Sequence, residues 1–204
     1  MNITHPSARL AATLKAVTAA ALLASLAACV TSQQTMPMPP PPSAVAMLQA
    51  KSNSSVGGSV SFAQEGAKVR VVAHVTGLKP GQEHGFHVHE KGDCSAPDAM
   101  SAGGHFNPSS HPHGPQSAAH HGGDLPSLKA DAKGNADASF LIDGVVLGTG
   151  GADLMGKAVV VHAMPDDYMT QPTGNSGGRI ACGVIATPTG VDATGQPIAV
   201  PKTM

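Results

Sequence analysis

Four histidines in this chain of 204 residues are spaced as ligands of one metal ion. His87 and His89 stand two residues apart in a predicted strand, so both imidazoles point to the same face of it. His105 and His162 are far away in sequence, and the fold must bring them to that pair. Neutral imidazole suits copper and zinc, and four imidazoles in a flattened arrangement favour Cu(II). The spacing therefore predicts a copper site.

A second set of donors suits a different metal. His113, His121 and Asp124 offer two imidazoles and a carboxylate, and one histidine can be shared with the first set. Three nitrogens and one oxygen in a tetrahedron suit Zn(II). A histidine-rich tract can also bind metals without specificity, but that explanation leaves the strand pair and the isolated His162 unaccounted for. His74 is interpreted as an ordinary strand residue.

These donors lie among short segments with the pattern of β-strands. Apolar and polar residues alternate across 69–75, as in a half-buried strand, and more loosely across 56–62. Residues 85–90 are a further predicted strand, and 138–142, 158–162 and 180–185 are short β-branched runs between Gly, Asp or Pro. With 24 Gly, 17 Pro and only 2% aromatic residues, the chain is unsuited to a helical bundle or a coiled coil. We expect an all-β sandwich or barrel.

Irregular segments separate and follow the predicted strands. Residues 91–136 show no regular pattern, and a loop of this length in a compact domain is usually functional. This loop contains five histidines, Cys94 and Asp124. A second irregular segment, 165–178, follows a later strand. The last residues, 188–204, are rich in Pro, Gly and Thr and are predicted to form a loosely ordered tail.

The first 28 residues have the features of an export signal. Arg9 and Lys15 precede an uncharged apolar run, 16–28, that is too short to span a bilayer comfortably. The run leads through Leu-Ala-Ala into Cys29 and so resembles the bacterial lipobox, in which the cysteine is lipidated and becomes the new N-terminus. An ordinary signal peptide with a chance cysteine is the alternative. Four consecutive prolines then make 29–43 a semi-rigid linker.

These features predict a periplasmic protein of the cell envelope with a domain spanning 44–187. By resemblance, Val30 stands where an aspartate often retains such lipoproteins at the inner membrane, so a lipid anchor in the outer membrane is favoured. Loss of residues 1–28 removes two of the 12 basic residues and leaves ten against 13 acidic ones, a net charge of −3. Because there is no basic surplus, we expect no nucleic-acid partner.

Seven segments, in order and close to the family's spacing, resemble copper/zinc superoxide dismutase. They are GFHVHE (85–90), GDC (92–94), GGHFNP (103–108), HGP (113–115), HGGDLP (121–126), VVH (160–162) and GGRIACGVI (177–185). The resemblance implies a Greek-key β-barrel or sandwich of about eight antiparallel strands, with long metal-binding and active-site loops. It also implies that copper redox cycling converts superoxide to O2 and hydrogen peroxide, with zinc as a structural metal.

The resemblance assigns each donor to a metal. The copper ligands that it implies are His87, His89, His105 and His162. The zinc ligands that it implies are His105, His113, His121 and Asp124. His105 would bridge the two metals as an imidazolate and carry a proton to the peroxide. Two neighbouring histidines, His111 and His120, do not have the family's spacing and are expected to be exposed.

Further residues take roles by the same resemblance. Asp166 matches the carboxylate that links a copper histidine to a zinc histidine and fixes their ring orientation. Arg179 matches the arginine beside the copper, where its permanent charge would attract and orient superoxide. Cys94 and Cys182 match the disulfide that ties the long loop to the last strand, which leaves Cys29 for the lipid.

The chain departs from the family in 169–176. Many relatives carry charged residues there that guide superoxide, whereas this stretch is neutral, so we expect little steering by this loop unless Lys91, Lys129 or Lys133 substitutes for it. Two other functions would use similar features: metal delivery without dismutation, and a structural or adhesive surface domain. The full set of copper ligands and the arginine favours the enzyme. Monomer and homodimer both stay open.

Overall fold

The computed structural model describes residues 43–188 and the backbone of 190–191 and 197–198. The predicted signal peptide, Cys29 and all but the last residue of the predicted linker lie outside this part of the chain. The described residues contain no α-helix and one turn of 3-10 helix, Met100–Ala102. None of their helices is long and apolar enough to cross a membrane. The predicted all-β class is confirmed.

Seven of the eleven strands in the described residues form one curled antiparallel sheet. The eleven strands are β1 Ser43–Ala50, β2 Gly57–Glu65, β3 Lys68–Thr76, β4 Glu83–His84, β5 Phe86–His89, β6 Leu128–Lys129, β7 Ala136–Ile142, β8 Ala158–His162, β9 Arg179–Val184, β10 Gly190–Val191 and β11 Pro197–Ile198. The order in the large sheet is β5-β8-β9-β1-β2-β3-β7, and β4 pairs with β6 and β10 with β11. A late strand, β9, thus returns beside β1, which is the feature of a Greek key.

The sheet buries one face because its residues alternate. In β3, Val69, Val71 and Ala73 are fully buried, while the residues between them are partly or fully exposed. Phe62 and Val60 of β2 stand opposite Val71 and Ala73 and add to the same apolar layer. Burying such a side chain contributes about 1.5–3 kcal/mol, so this layer gives the metal-binding part of the sheet a rigid support.

Strand β5 is covered on both faces, and this places its two histidines. Phe86 and Val88 point into the main core. His87 and His89 point the other way, on the face where Val160 of β8 stands opposite His87. Every residue of β5 and β8 is buried. The histidines are therefore enclosed under the long loop rather than exposed on a free sheet face.

Main-chain hydrogen bonds hold the loop that covers this face. The Val88 amide donates to the Gly123 carbonyl at 2.8 Å, and the Phe106 amide donates to the Val88 carbonyl at 2.8 Å. Gly123 has to be glycine, because a Cβ there would lie 2.2 Å from the Val88 oxygen. The loop passes β5 twice and so brings His105 and Asp124 beside that strand.

The sequence pattern does not distinguish β1, although this strand lies in the middle of the sheet. Its Ala, Met, Leu and Gln residues are good helix formers, and pairing with β2 and β9 makes the segment extended. The ends of the other predicted strands differ from the observed ones by at most three residues. In the predicted tail, the two described pieces form the short antiparallel β10–β11 ladder.

Candidate metal centre

The four histidines predicted to bind copper meet in one buried cluster. His87, His89, His105 and His162 each offer a ring nitrogen, and these four atoms lie within 4.8 Å of one another. None of the four residues is more than 7% exposed. The Nε2 atoms of His89 and His162 are 3.3 Å apart. Four nitrogens this close have the dimensions of one ion's coordination sphere.

The second predicted set surrounds one oxygen of Asp124. Its Oδ1 lies 2.9 Å from His105 Nδ1, 3.0 Å from His113 Nδ1 and 3.2 Å from His121 Nδ1. In this region the four residues whose ligand atoms all lie within 4.8 Å are His87, His105, His113 and Asp124. His121 is not one of these four, although its Nδ1 lies 3.5 Å from that of His105. The two groups that meet this criterion share His87 and His105, and the two predicted ligand sets share His105.

Two buried ring nitrogens in these clusters make no hydrogen bond. They are His87 Nδ1 and His105 Nε2. A buried polar atom without a partner costs about 1–3 kcal/mol, and a bound cation would use these lone pairs. Four nitrogens on one side suit copper, and three nitrogens with one oxygen on the other suit zinc. The residues therefore fit one ion in each cluster.

The opposite nitrogens of two copper-side rings donate to main-chain carbonyls. His89 Nδ1–H donates to the Gly103 oxygen at 2.9 Å, and His162 Nδ1–H donates to the Gly177 oxygen at 3.2 Å. Each ring thus keeps Nε2 as its lone pair, a common arrangement for metal-binding histidines. The sequence alone does not reveal these carbonyls, because any residue type could supply them.

Asp166 joins the two clusters. Its Oδ2 accepts a hydrogen bond from His87 Nε2 at 2.7 Å, and its Oδ1 accepts one from His113 Nε2 at 2.9 Å. The side chain of Asp166 is fully buried. Both imidazoles therefore present Nδ1 to their clusters, and one carboxylate sets the orientation of a ring in each.

The chain matches a sequence model of one protein family, described as copper/zinc superoxide dismutase (SODC), over residues 56–185. It belongs to the copper/zinc superoxide dismutase family. This membership confirms the predicted enzyme class, and with it copper and zinc as the cofactors.

Individual relatives agree with this placement. The dismutase is similar to a superoxide dismutase [Cu-Zn] of Paramecium bursaria Chlorella virus 1, with 42% identity over 150 residues, 70% of this chain and 77% of the relative. It is 41% identical to an extracellular superoxide dismutase [Cu-Zn] of Drosophila melanogaster over 178 residues, 80% of this chain and 96% of that one.

Solved structures of similar proteins carry more than one name. One is clock protein EA4, with 38% identity and a TM-score of 0.66, covering 74% of this chain and 98% of that one. Another is a SOD-like protein from Bacillus subtilis, with 35% identity and a TM-score of 0.63, covering 68% and 95%. Because proteins with different names share this fold, the assignment of chemistry depends on the site residues.

Both carboxylates of the centre stay ionised in spite of their burial. Burial alone would raise the pKa of Asp124, but hydrogen bonds from His105 and His113 hold that pKa well below its usual range. Burial likewise opposes ionisation of Asp166, and hydrogen bonds from His113 and His87 hold its pKa below the usual range. Two fixed negative charges offset the cost of burying metal cations in this dismutase.

The histidines divide into two classes. Burial lowers the pKa of His87 to about 4 and that of His162 to about 3, and it holds the pKa of His89 well below its usual value. Burial also acts to lower the pKa of His113, but hydrogen bonds with Asp124 and Asp166 outweigh it and raise the pKa to about 9. His87, His89 and His162 are thus neutral near neutral pH, the form that binds metals.

These shifts predict a stability maximum near neutral pH for the metal-free dismutase. Below about pH 6.5 the unfolded chain binds protons that the buried His87, His89 and His162 refuse, so the free energy of unfolding falls as the pH falls. The contribution of His113 has the opposite sign and is lost as the pH rises through about 9. Urea unfolding of the oxidised, metal-free protein should give a lower midpoint at pH 5 than at about pH 7. Equal midpoints would contradict the prediction.

Arg179 is held beside the copper-side cluster by two carbonyls. Its Nη1 donates to the Ala99 oxygen and its Nη2 to the Gly103 oxygen, each at 2.7 Å. The Gly103 oxygen is the one that also accepts from His89. Arg179 is half-buried, and burial lowers its pKa, yet a guanidinium stays charged at any pH near neutrality.

Cys94 and Cys182 form the predicted disulfide, with their Cα atoms 5.7 Å apart. Cys182 is buried in β9, and Cys94 lies near the start of the long loop. Lys51 also donates to the Cys94 carbonyl. The bond therefore fastens the loop to β9, three residues from Arg179.

His111 and His120 lie outside both clusters. His111 is exposed and His120 is half-buried. Both line a cavity of about 220 Å³, and their Nδ1 atoms lie 3.3 and 2.7 Å from the carbonyl oxygens of His120 and Ala118. Neither ring adds a donor to the metal centre.

Proposed function

We propose that this dismutase converts superoxide at a copper ion held by the four-histidine cluster, in the reaction 2 O2•− + 2 H+ → O2 + H2O2. The observation that carries the proposal is the shared His105, which approaches Asp124 with Nδ1 and has a buried, unpartnered Nε2. The proposed copper ligands are His87, His89, His105 and His162. The proposed zinc ligands are His105, His113, His121 and Asp124.

The protein's own residues would supply protons, charge and position. When bound, copper supplies the one-electron redox chemistry that zinc lacks. His105 would hold a proton at Nε2 and give it to the superoxide that becomes peroxide, while its Nδ1 faces the zinc-side cluster, 2.9 Å from Asp124. Arg179 would hold a positive charge where the anion arrives, because two carbonyls fix its guanidinium.

Superoxide consumption by the metal-loaded protein tests this function. We expect activity in the parent, loss of it in His162→Ala, and a fall of roughly tenfold or more in Arg179→Ala, since the anion would lose a fixed charge at contact range. Arg179 is half-buried, so salt screens this local charge much less than an exposed one. Arg70→Ala is the matched control, because Arg70 of β3 pairs with Glu65 of β2 through partly exposed side chains outside both clusters. An inactive parent that holds both metals would favour metal delivery, and a parent that holds neither metal would favour a structural role.

The neutral loop predicts a small salt dependence of the rate. Residues 169–176 carry no charge, so this loop adds no long-range field for salt to screen. We expect kcat/KM to fall less than about threefold as ionic strength rises from 0.01 to 0.15 M, a change that shortens the screening length from about 30 to 8 Å. A steep fall in kcat/KM would assign steering to other charges, with Lys91, Lys129 and Lys133 as the residues to replace.

We further propose that the enzyme works outside the cytoplasm as a lipoprotein, with residues 1–28 removed and Cys29 lipidated. Supporting this are the Leu-Ala-Ala-Cys sequence, a disulfide of the kind that persists in oxidising compartments, and similarity to a relative named as extracellular. The expected location is the periplasmic side of the outer membrane. The full chain should fractionate with membranes and a Cys29→Ser variant should not; identical fractionation would refute the anchor.

A further inference from the structure

The side chain of Gln171 binds the backbone of a proposed zinc ligand. The His113 amide donates to Gln171 Oε1 at 2.8 Å, and Gln171 Nε2 donates to the His113 carbonyl at 2.8 Å. One primary amide therefore pairs with both main-chain groups of His113. Among the described residues, no other hydrogen bond reaches either group, so Gln171 replaces the strand partner that His113 lacks in its irregular loop.

The same segment also holds the ring of His113. Asp166 Oδ1 accepts from His113 Nε2 at 2.9 Å and from the Tyr168 amide at 2.8 Å. The ring is thus fixed by Asp166 and the backbone by Gln171, and both belong to the segment 165–178. Between these two contacts, His113 Nδ1 is left 3.0 Å from the carboxylate of Asp124.

Gln171 itself is supported by a closed turn. Asp167 Oδ1 accepts from the Met169 amide at 2.9 Å and from the Thr170 amide at 2.8 Å, while its Oδ2 accepts from Thr170 Oγ1 at 2.6 Å. The Gly174 amide closes the turn by donating to the Thr170 carbonyl at 2.7 Å. The turn therefore fixes the backbone of Gln171, so less conformational entropy is lost when its side-chain amide binds the His113 backbone.

We propose that Gln171 is a positioning residue for zinc, acting through the backbone of His113. The inference rests on the proposed function, because it takes His113 as a zinc ligand. It also gives the uncharged segment 169–176 a structural role, since Gln171 aligns a metal donor on the neighbouring loop. Removing such a supporting contact typically weakens metal affinity about 10–100-fold.

Zinc competition with a chelator tests the inference. We would compare the parent with Gln171→Met, which has a similar length and no amide, and with Gln64→Met, which makes the same substitution on β2, where the amide bonds Gly66, Lys68 and Leu147. Gln171→Met should bind zinc about tenfold more weakly, and Gln64→Met should match the parent. With Co2+ in the zinc position, the visible spectrum should change in Gln171→Met only. Unfolding midpoints of the metal-free proteins would show whether both variants fold.

The outcomes distinguish a failure of the role proposed for Gln171 from a failure of the proposed zinc ligand set. Equal zinc affinity in the parent and Gln171→Met, or an equal loss in Gln64→Met, would overturn the role of the Gln171 amide and leave the ligand set intact. A parent that binds no zinc, or a His113→Ala variant that keeps its zinc affinity, would refute the proposed ligand set and this inference with it.

Discussion

Replacing Gly174 with alanine should release zinc from the dismutase while the fold survives. A Cβ at Gly174 would lie 1.8 Å from Asp166 Oδ1 and 2.5 Å from His113 Nε2, so it would enter the hydrogen bond that orients the zinc-side ring. Gly174 also has φ +65°, where an L-residue costs roughly 1–2 kcal/mol. We expect zinc affinity to fall about 100-fold, the upper end for loss of such a contact.

Zinc content after dialysis against a chelator measures this effect, and Gly178→Ala is the matched control. Gly178 belongs to the same segment, but a Cβ there would meet no atom within 4 Å. Zinc retention in Gly174→Ala equal to that in Gly178→Ala would contradict the role given to the Asp166–His113 contact.

Breaking the Cys94–Cys182 disulfide should lower the free energy of unfolding by several kcal/mol. Cys94 and Cys182 are 88 residues apart in sequence, and in the chain-entropy description closing such a loop restricts the unfolded chain by about 4.5 kcal/mol. We expect the metal-free Cys94→Ala/Cys182→Ala variant to unfold at a much lower denaturant concentration than the oxidised parent. Reduced parent should behave like the variant.

Activity supplies a second measurement on the same proteins. The loop that Cys94 fastens contains Ala99 and Gly103, whose carbonyls hold Arg179. Loosening this loop should therefore lower kcat/KM in the metal-loaded, reduced protein under conditions where it remains folded. A reduced protein with unchanged stability and unchanged kcat/KM would refute both roles of the disulfide.

The sequence predicts the part of the metal centre that depends on the spacing of side chains within one strand. His87 and His89 stand at the period of a strand, and the face they share is set by that period. The irregular loop has no such period, so its own residues do not predict that His105 and Asp124 lie beside β5. Their placement depends on main-chain hydrogen bonds, such as the one from the Val88 amide to the Gly123 carbonyl. Such bonds use groups that nearly every residue carries, so the sequence does not predict which residues form them.

Other features needed the fold. Strand β1 has the composition of a helix and becomes extended by pairing on both sides. Gln171 lies in a stretch whose lack of charge is visible in the sequence, but its contact with His113 joins residues 58 positions apart. A neutral polar residue in a loop carries no signal of this kind until the partner loop is placed next to it.

The carbonyl oxygen of Gly103 links copper retention to anion binding, because it holds one group that serves each. The Gly103 carbonyl accepts from His89, a proposed copper ligand, and from Arg179, the charge proposed to meet the anion. A shift of the 99–103 turn would therefore move the His89 ring and the Arg179 guanidinium together. Anion inhibition and copper retention should therefore rise or fall together in any series of variants that displaces this turn, and an engineer who wishes to tune one of them must work elsewhere.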